Sequence, residues 1–154
     1  MAYEWNMAVP VVGPNSPVRH LISRSVIEAP ADATLAEAAS TMRKANVSAL
    51  LVGDDRRIAT ERDITRALAA GLSPDAPVAA VATPRPITVG PETTVIEAAA
   101  CMLNDEVRHL LVQVGERGEG IVSMRDVMAV LLQAATPQVW LSSLRLAIRV
   151  SDAT

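Results

Sequence analysis

Two short motifs place a hydroxyl side chain three residues before an aspartate, Thr60-x-x-Asp63 and Ser123-x-x-Asp126. Strand-like residues precede each hydroxyl and residues at helical spacing follow each aspartate, so both motifs lie where a strand turns into a helix. A carboxylate only accepts hydrogen bonds, and it can take two of them from the adjacent hydroxyls of a ribose. The amides at a helix start attract an anion such as phosphate. The two motifs could therefore bind a sugar and a phosphate separately.

The same motifs also have a purely structural interpretation. The hydroxyl can accept from the third helical amide while the acid accepts from the backbone of the capping residue, which is a capping box. Two other helix starts, Thr34-x-x-Glu37 and Thr94-x-x-Glu97, have this pattern with glutamate. Asp63 and Asp126 have shorter side chains than these glutamates, which favours a further function for their carboxylates. Capping alone remains an alternative.

An internal repeat organises the chain. With a shift of 60 positions, Thr34–Val52 aligns with Thr94–Val112, and nine of the nineteen positions are identical. After a loop that is three residues longer in the second copy, the shift becomes 63, and Ile58–Ile64 aligns with Ile121–Val127. Two copies of one unit are therefore expected to form the fold.

Each copy has the pattern strand, helix, strand, strand, helix. The predicted fold class is α/β in the broad sense, more narrowly α+β, with two β-α-β-β-α repeats packed sheet against sheet around a pseudo-twofold axis. Neither copy alone is large enough for a secure core. The predicted repeats are residues 18–72 and 78–132, joined by a linker at 73–77. An N-terminal arm at 1–17, with Trp5 as a candidate anchor, precedes them. A C-terminal tail at 133–154, a candidate interface segment, follows them.

Composition narrows the function classes. The 154-residue chain is 50% apolar, has three aromatic residues and carries a formal net charge of −3. It lacks the basic stripe that nucleic acid or an anionic membrane requires, and its first residues do not resemble a signal peptide. The single Cys101 cannot form an internal disulfide, which fits a cytoplasmic location. No Ser-His-Asp order, Walker loop or zinc-ligand spacing is present, so we expect neither catalysis nor a metal site.

The stretch from Val18 to Leu132 resembles the CBS domain pair, also called a Bateman module. In that family each copy carries a motif of glycine, two hydrophobic residues, Thr or Ser, two variable residues and Asp. Gly120–Asp126 matches it at every position, whereas Arg57–Asp63 has Arg57 in place of the glycine. The resemblance implies two clefts between the copies that bind AMP, ADP, ATP, S-adenosylmethionine or NADH, with no required cofactor. It also implies that the aspartates hold ribose and that Thr60 and Ser123 lie near phosphate.

Family members often place phosphate-contacting residues at the start of the second strand of each copy. The first copy has Ser48 there and the second has Arg108 and His109, so the resemblance implies unequal sites. Arg108 can bind a phosphate in a bidentate manner, and His109 can add a donor that titrates near neutral pH. Arg62 and Arg125, one residue before each aspartate, could reach a ligand or face solvent, and both alternatives remain open.

Two functional hypotheses follow. In the first, the chain is a regulatory adenosine-ligand sensor that is not an enzyme, forms a homodimer and modulates a separate target protein. In the second, it is a ligand-free structural dimerisation or protein-interaction module, in which the Thr/Ser-x-x-Asp motifs only cap helices. A ligand can regulate only if it binds two states of the protein with different affinity.

Overall fold

The computed structural model describes residues 12–114 and 118–135. Most of the predicted N-terminal arm, with Trp5, and most of the predicted C-terminal tail lie outside the described residues. The first copy consists of strand β1 (Glu28–Ala29), helix α1 (Leu35–Ala45), strands β2 (Ala49–Val52) and β3 (Arg57–Thr60), and helix α2 (Glu61–Ala69). The second copy consists of strand β4 (Thr88–Val89), helix α3 (Val95–Asn104), strands β5 (His109–Val114) and β6 (Gly118–Ser123), and helix α4 (Met124–Ala135).

Each copy contains one three-stranded mixed sheet. In the first, β1 is parallel to β2 and β2 is antiparallel to β3; in the second, β4, β5 and β6 repeat this order. The hairpins have equivalent registers, since Leu51 pairs with Ile58 and Leu111 pairs with Ile121. The predicted α+β fold class with two β-α-β-β-α copies is confirmed.

Local signals set the helix starts. The Thr34 hydroxyl accepts from the Glu37 amide at 3.1 Å, and the Glu37 carboxylate accepts from the Thr34 amide at 2.8 Å. Thr94 and Glu97 form the same capping box at the start of α3. Asn46 ends α1 in the left-handed conformation, with φ of 53°, which Asn adopts more readily than most residues. These helices therefore begin where the sequence predicts.

The two copies exchange their first segments. The 3-10 turn Val18–Leu21 precedes β1, but Val18 is fully buried in the core of the second copy. The 3-10 turn Val78–Ala80 precedes β4, but Val78 is fully buried in the core of the first copy. Backbone hydrogen bonds hold both segments, because the Val18 amide donates to Thr93 O and the Val78 amide donates to Ala33 O, each at 2.7 Å. Each core is therefore completed by a residue of the other copy.

The same exchange explains the glycine of the second motif. A methyl group added at Gly120 would lie 2.6 Å from a side-chain carbon of Ile22, which follows the exchanged turn. The residue that corresponds to Ile22 in the repeat is Ala82. The smaller side chain at this position accords with the presence of Arg57 in place of the glycine in the first copy. The requirement for glycine here arises from Ile22, a residue of the other copy.

Candidate functional site

A cleft of about 1,230 Å³ lies between the copies and is lined by residues of both. It exceeds the usual volume of a site for one small ligand, which is roughly 300–1,000 Å³. The cleft brings together all nine residues that the sequence predicts for ligand binding: Ser48, Thr60, Arg62, Asp63, Arg108, His109, Ser123, Arg125 and Asp126. The two predicted sites therefore share one continuous space.

The cleft has two ends, which we name after their aspartates. At the Asp63 end, the start of α2 faces residues 83–87 of the second copy, because Thr83 and Ile58 exchange backbone hydrogen bonds at 2.8 and 3.0 Å. At the Asp126 end, the start of α4 faces residues 22–27 of the first copy, because Ile22 packs on Gly120. Each end thus combines the motif of one copy with the connecting segment of the other.

The sequence-based prediction missed these two connecting segments. Residues 22–27 line the cleft on one side, and Thr83 and residues 85–87 line it on the other. The repeat contains a usable signal, since the shift of 60 places Ser23 opposite Thr83 and Ile27 opposite Ile87. The signal is weak because the remaining positions of the two segments differ in size and charge.

Both aspartates form capping boxes. Asp63 Oδ2 accepts from the Thr60 amide and from its hydroxyl, each at 2.8 Å, and the Thr60 hydroxyl accepts from the Asp63 amide at 3.2 Å. Asp126 Oδ2 accepts from the Ser123 amide at 2.9 Å and from its hydroxyl at 2.7 Å. Capping is therefore real at both motifs. Only one oxygen of each carboxylate takes part, and the Oδ1 atoms make no hydrogen bond to any described residue, so each has room for a ligand hydroxyl.

The arginines of the described residues divide into two groups. Three lie outside the cleft, and each has a carboxylate partner: Arg19 with Glu92, Arg56 with Glu28 and Glu119, and Arg57 with Asp55. Seven line the cleft, and none of these forms a salt bridge to a described residue: Arg24, Arg43, Arg62, Arg66, Arg85, Arg108 and Arg125. Four carboxylates line the cleft with them: Glu61, Asp63, Glu106 and Asp126. The cleft thus has an excess of positive charge in a chain whose net charge is negative.

Three of the sequence-predicted arginines present exposed side chains to the cleft. Arg62 and Arg125 lie in the first turns of α2 and α4, and Arg108 lies immediately before β5. The carbonyl oxygen of Arg108 accepts from the Met124 amide at 2.8 Å, which holds the start of β5 against the start of α4. An arginine without an ion-pair partner can form bidentate hydrogen bonds to a phosphate.

His109 connects the two copies in the middle of the cleft. Its Nε2 atom lies 2.8 Å from the Ser48 hydroxyl oxygen, so the pair forms a hydrogen bond across the copies. Burial lowers the pKa of His109 from its ordinary value of 6.5, although the negative charges of Asp126, Asp63 and Glu61 oppose this shift. The imidazole is therefore mostly neutral at pH 7.

A pH dependence of stability follows from this lowered pKa. The unfolded chain binds a proton at His109 at a higher pH than the folded chain does, so the free energy of unfolding falls as the pH decreases through about 6.5. We expect the melting temperature of the wild type to fall more between pH 7.5 and pH 5 than that of His109→Gln, which keeps a hydrogen-bonding group for Ser48. Calorimetric melting at both pH values measures the difference. Equal pH dependence of the two proteins would contradict the assignment.

Other candidate chemistry is weak in the described part of the chain. Burial raises the pKa of the Cys101 thiol, which donates to an Asp105 oxygen at 3.4 Å, and a raised pKa lowers the nucleophilicity of a thiol at neutral pH. Among residues 12–114 and 118–135, no three His, Cys, Asp or Glu side chains are arranged to hold a metal ion. Across those same residues, every helix is too short or too polar to cross a bilayer.

The fold and the cleft define a module of two α+β repeats around a shared, arginine-lined groove. Residues 18–70 and 78–133 each match the CBS domain. The chain belongs to the CBS-domain family.

Three similar proteins extend this assignment. A 17.7 kDa protein of Acidianus ambivalens is 38% identical over 110 residues, which cover 68% of this chain and 66% of that protein, so the chain spans just under two thirds of this relative. A CBS domain protein of Pyrobaculum aerophilum, solved in complex with AMP, is 33% identical with a TM-score of 0.64, over 77% of this chain and 98% of that one. The CBS domain pair of protein MJ0100, solved with 5′-methylthioadenosine and S-adenosylmethionine, is 25% identical with a TM-score of 0.67, over 75% and 98%.

Proposed function

We propose that this chain is a regulatory module that binds adenosine ligands of the AMP, ADP or ATP type in the cleft between its two copies. The observation that carries the proposal is the division of the arginines, since every described arginine in the cleft lacks an ion-pair partner and every described arginine outside it has one. Seven arginines against four carboxylates leave an excess of positive charge in one groove, which is unfavourable by itself. An anionic ligand would relieve that repulsion.

The aspartates give the proposed site its preference for a nucleoside. Asp63 and Asp126 each use one oxygen for capping and direct a half-buried carboxylate into the cleft. A ribose presents two adjacent hydroxyls, and these can donate to the remaining oxygen lone pairs of a carboxylate. Inorganic phosphate cannot make these contacts. The AMP complex of the Pyrobaculum aerophilum protein, which is similar over nearly its whole length, supports the same ligand class.

The proposal also includes a regulatory role for ligand binding. The cleft joins the two copies, and Ser48 and His109 bridge it, so a ligand that binds there contacts both copies and can favour one relative arrangement over another. We propose that this shift is transmitted to a separate target protein and that the chain is not itself an enzyme. A cytoplasmic location accords with a nucleotide ligand and with a single cysteine.

A second candidate function is a structural dimerisation or interaction module. It is favoured by large apolar side chains that are exposed on the helices, among them Ile96 and Leu103 on α3 and Met128 and Leu132 on α4. Such side chains are common at protein interfaces. A homodimer formed through these helices is compatible with either function, so ligand binding is the property that separates the two.

Isothermal titration calorimetry of the whole chain with AMP, ATP, S-adenosylmethionine and NADH tests the proposed function. We expect saturable heat with at least one adenosine ligand and a stabilisation of about 2.7 kcal/mol when the ligand is present at 100 times its dissociation constant. Ribose 5-phosphate and inorganic phosphate are the controls, and they should bind much more weakly. Absence of binding by all four ligands would leave only the structural module.

A further inference from the structure

The two ends of the cleft differ in charge, although both are built from the same repeat. Each end has three arginines. At the Asp63 end these are Arg62, Arg66 and Arg85, and at the Asp126 end they are Arg24, Arg43 and Arg125. Arg43 is assigned to the Asp126 end because it precedes the end of α1, where Arg24 donates to Ala45 O at 2.7 Å. Arg108 is counted with neither group, because its carbonyl oxygen accepts from Met124 at the start of α4, whereas Glu106, two residues before it, is the counterpart of Asn46.

The carboxylates make the difference. Glu61 and Asp63 lie in the first turn of α2, at the Asp63 end. The repeat assigns Glu106 to the same end, because its counterpart Asn46 accepts from Arg24 of the segment at the Asp126 end, at 3.2 Å. Among the four carboxylates of the cleft, this leaves Asp126 alone at its own end. The repeat places Met124 opposite Glu61 and Asn46 opposite Glu106, and both of these uncharged residues line the Asp126 end. Three arginines are therefore balanced by three carboxylates at one end and opposed by a single carboxylate at the other.

The local backbone makes these paired positions equivalent. Glu61 and Met124 are each the first residue of a helix, and Asn46 and Glu106 both have a left-handed backbone, with φ of 53° and 54°. Neither Glu61 nor Glu106 has a basic partner among the described residues. Both carboxylates are thus free of direct ion pairs and make the Asp63 end more negative than the Asp126 end.

We propose that the two ends select adenosine ligands of different charge. The Asp126 end takes a nucleoside polyphosphate, and the Asp63 end takes an adenosine ligand of low negative charge, because Glu61 and Glu106 repel additional phosphates. This inference rests on the proposed function and adds to it which end binds which charge class. Glu61, Glu106 and their counterparts Met124 and Asn46 are the residues that determine the specificity.

Exchange of the paired residues tests the proposal. Each end is measured alone by removing the aspartate of the other, so Asp63→Ala reports on the Asp126 end and Asp126→Ala reports on the Asp63 end. Calorimetry with AMP and with magnesium-free ATP gives the ratio of the two affinities. We expect the ATP to AMP ratio to be at least about ten-fold higher at the Asp126 end than at the Asp63 end, because the Asp63 end carries two additional negative charges close to the added phosphates.

The exchanged variants should move this ratio in opposite directions. Glu61→Met with Glu106→Asn, in Asp126→Ala, should raise the ratio at the Asp63 end about ten-fold. Asn46→Glu with Met124→Glu, in Asp63→Ala, should lower it at the Asp126 end by a similar factor. The ratio compares two ligands on one variant, so a general loss of folded protein affects both affinities alike.

The outcomes separate the two proposals. Nucleotide binding with equal ratios at both ends, or with ratios that the exchanges do not move, would overturn the charge selection and leave the adenosine sensor intact. Absence of AMP and ATP binding by the wild type would overturn both. A ratio that is higher at the Asp63 end would reverse the assignment and thereby reject it.

Discussion

Loss of the two cleft aspartates is expected to abolish most of the affinity for adenosine ligands. Asp63→Ala and Asp126→Ala each remove a charged acceptor, and hydrogen bonds to charged groups contribute about 1.5–3 kcal/mol, so each variant should lose about ten-fold or more in affinity at its own end. The double variant should lose this at both ends. Calorimetric titration of the nucleotide that binds the wild type measures the effect.

The chain supplies a matched control for the capping function of these aspartates. Glu37 and Glu97 hold the same position in the capping boxes of α1 and α3, and both lie outside the cleft. Glu37→Ala and Glu97→Ala remove the same capping contact as Asp63→Ala and Asp126→Ala, so they should lower the stability in the same way and leave the nucleotide affinity unchanged. If all four variants bound nucleotide as the wild type does, the aspartates would be helix caps only, and their assignment as ribose ligands would be rejected.

The second large effect concerns the exchanged segments. Val18→Ala and Val78→Ala should each lower the free energy of unfolding by about 1.5–3 kcal/mol, because both valines are fully buried in a core formed mainly by the other copy. Since each copy then depends on the other, both should unfold in one transition that shifts as a whole. Urea denaturation followed by circular dichroism and by proton NMR of the two cores measures this.

Surface substitutions provide the comparison for the valines. Ile96→Ala and Leu103→Ala remove larger side chains that are 49% and 71% exposed, and each should change the stability by about 0.5 kcal/mol or less in the monomeric protein. A valine variant that melts one copy while the other stays folded would show that the exchange does not couple the copies.

Local chemistry explains which parts of the fold the sequence predicts. A capping box needs only residues three positions apart, so the starts of α1 and α3 follow directly from Thr34, Glu37, Thr94 and Glu97. The β2–β3 hairpin is also local, and its register is visible in the aligned repeats. Six of the nine candidate residues lie at the two strand-to-helix junctions, which recur at equivalent places in the repeat, and Ser48, Arg108 and His109 lie at the starts of β2 and β5.

Long-range packing decides the rest. Nothing near Val18 in the sequence shows that it completes the second core, since the other buried residues of that core begin at Val95. The glycine at 120 matches a family motif, but its reason is Ile22, which the exchanged segment brings against it. His109 resembles a phosphate-binding donor in the sequence, whereas in the fold it is bonded to Ser48 and its pKa is lowered by burial.

The sequence by itself therefore determined the two copies, their helix starts and hairpins, and the residue types of the cleft, because each depends on contacts between near neighbours. Tertiary structure alone decided that each end of the cleft is built from both copies. That mixing sets Glu61 and Glu106 at one end and Met124 and Asn46 at the other, so the difference in charge between the ends arises from packing between distant segments.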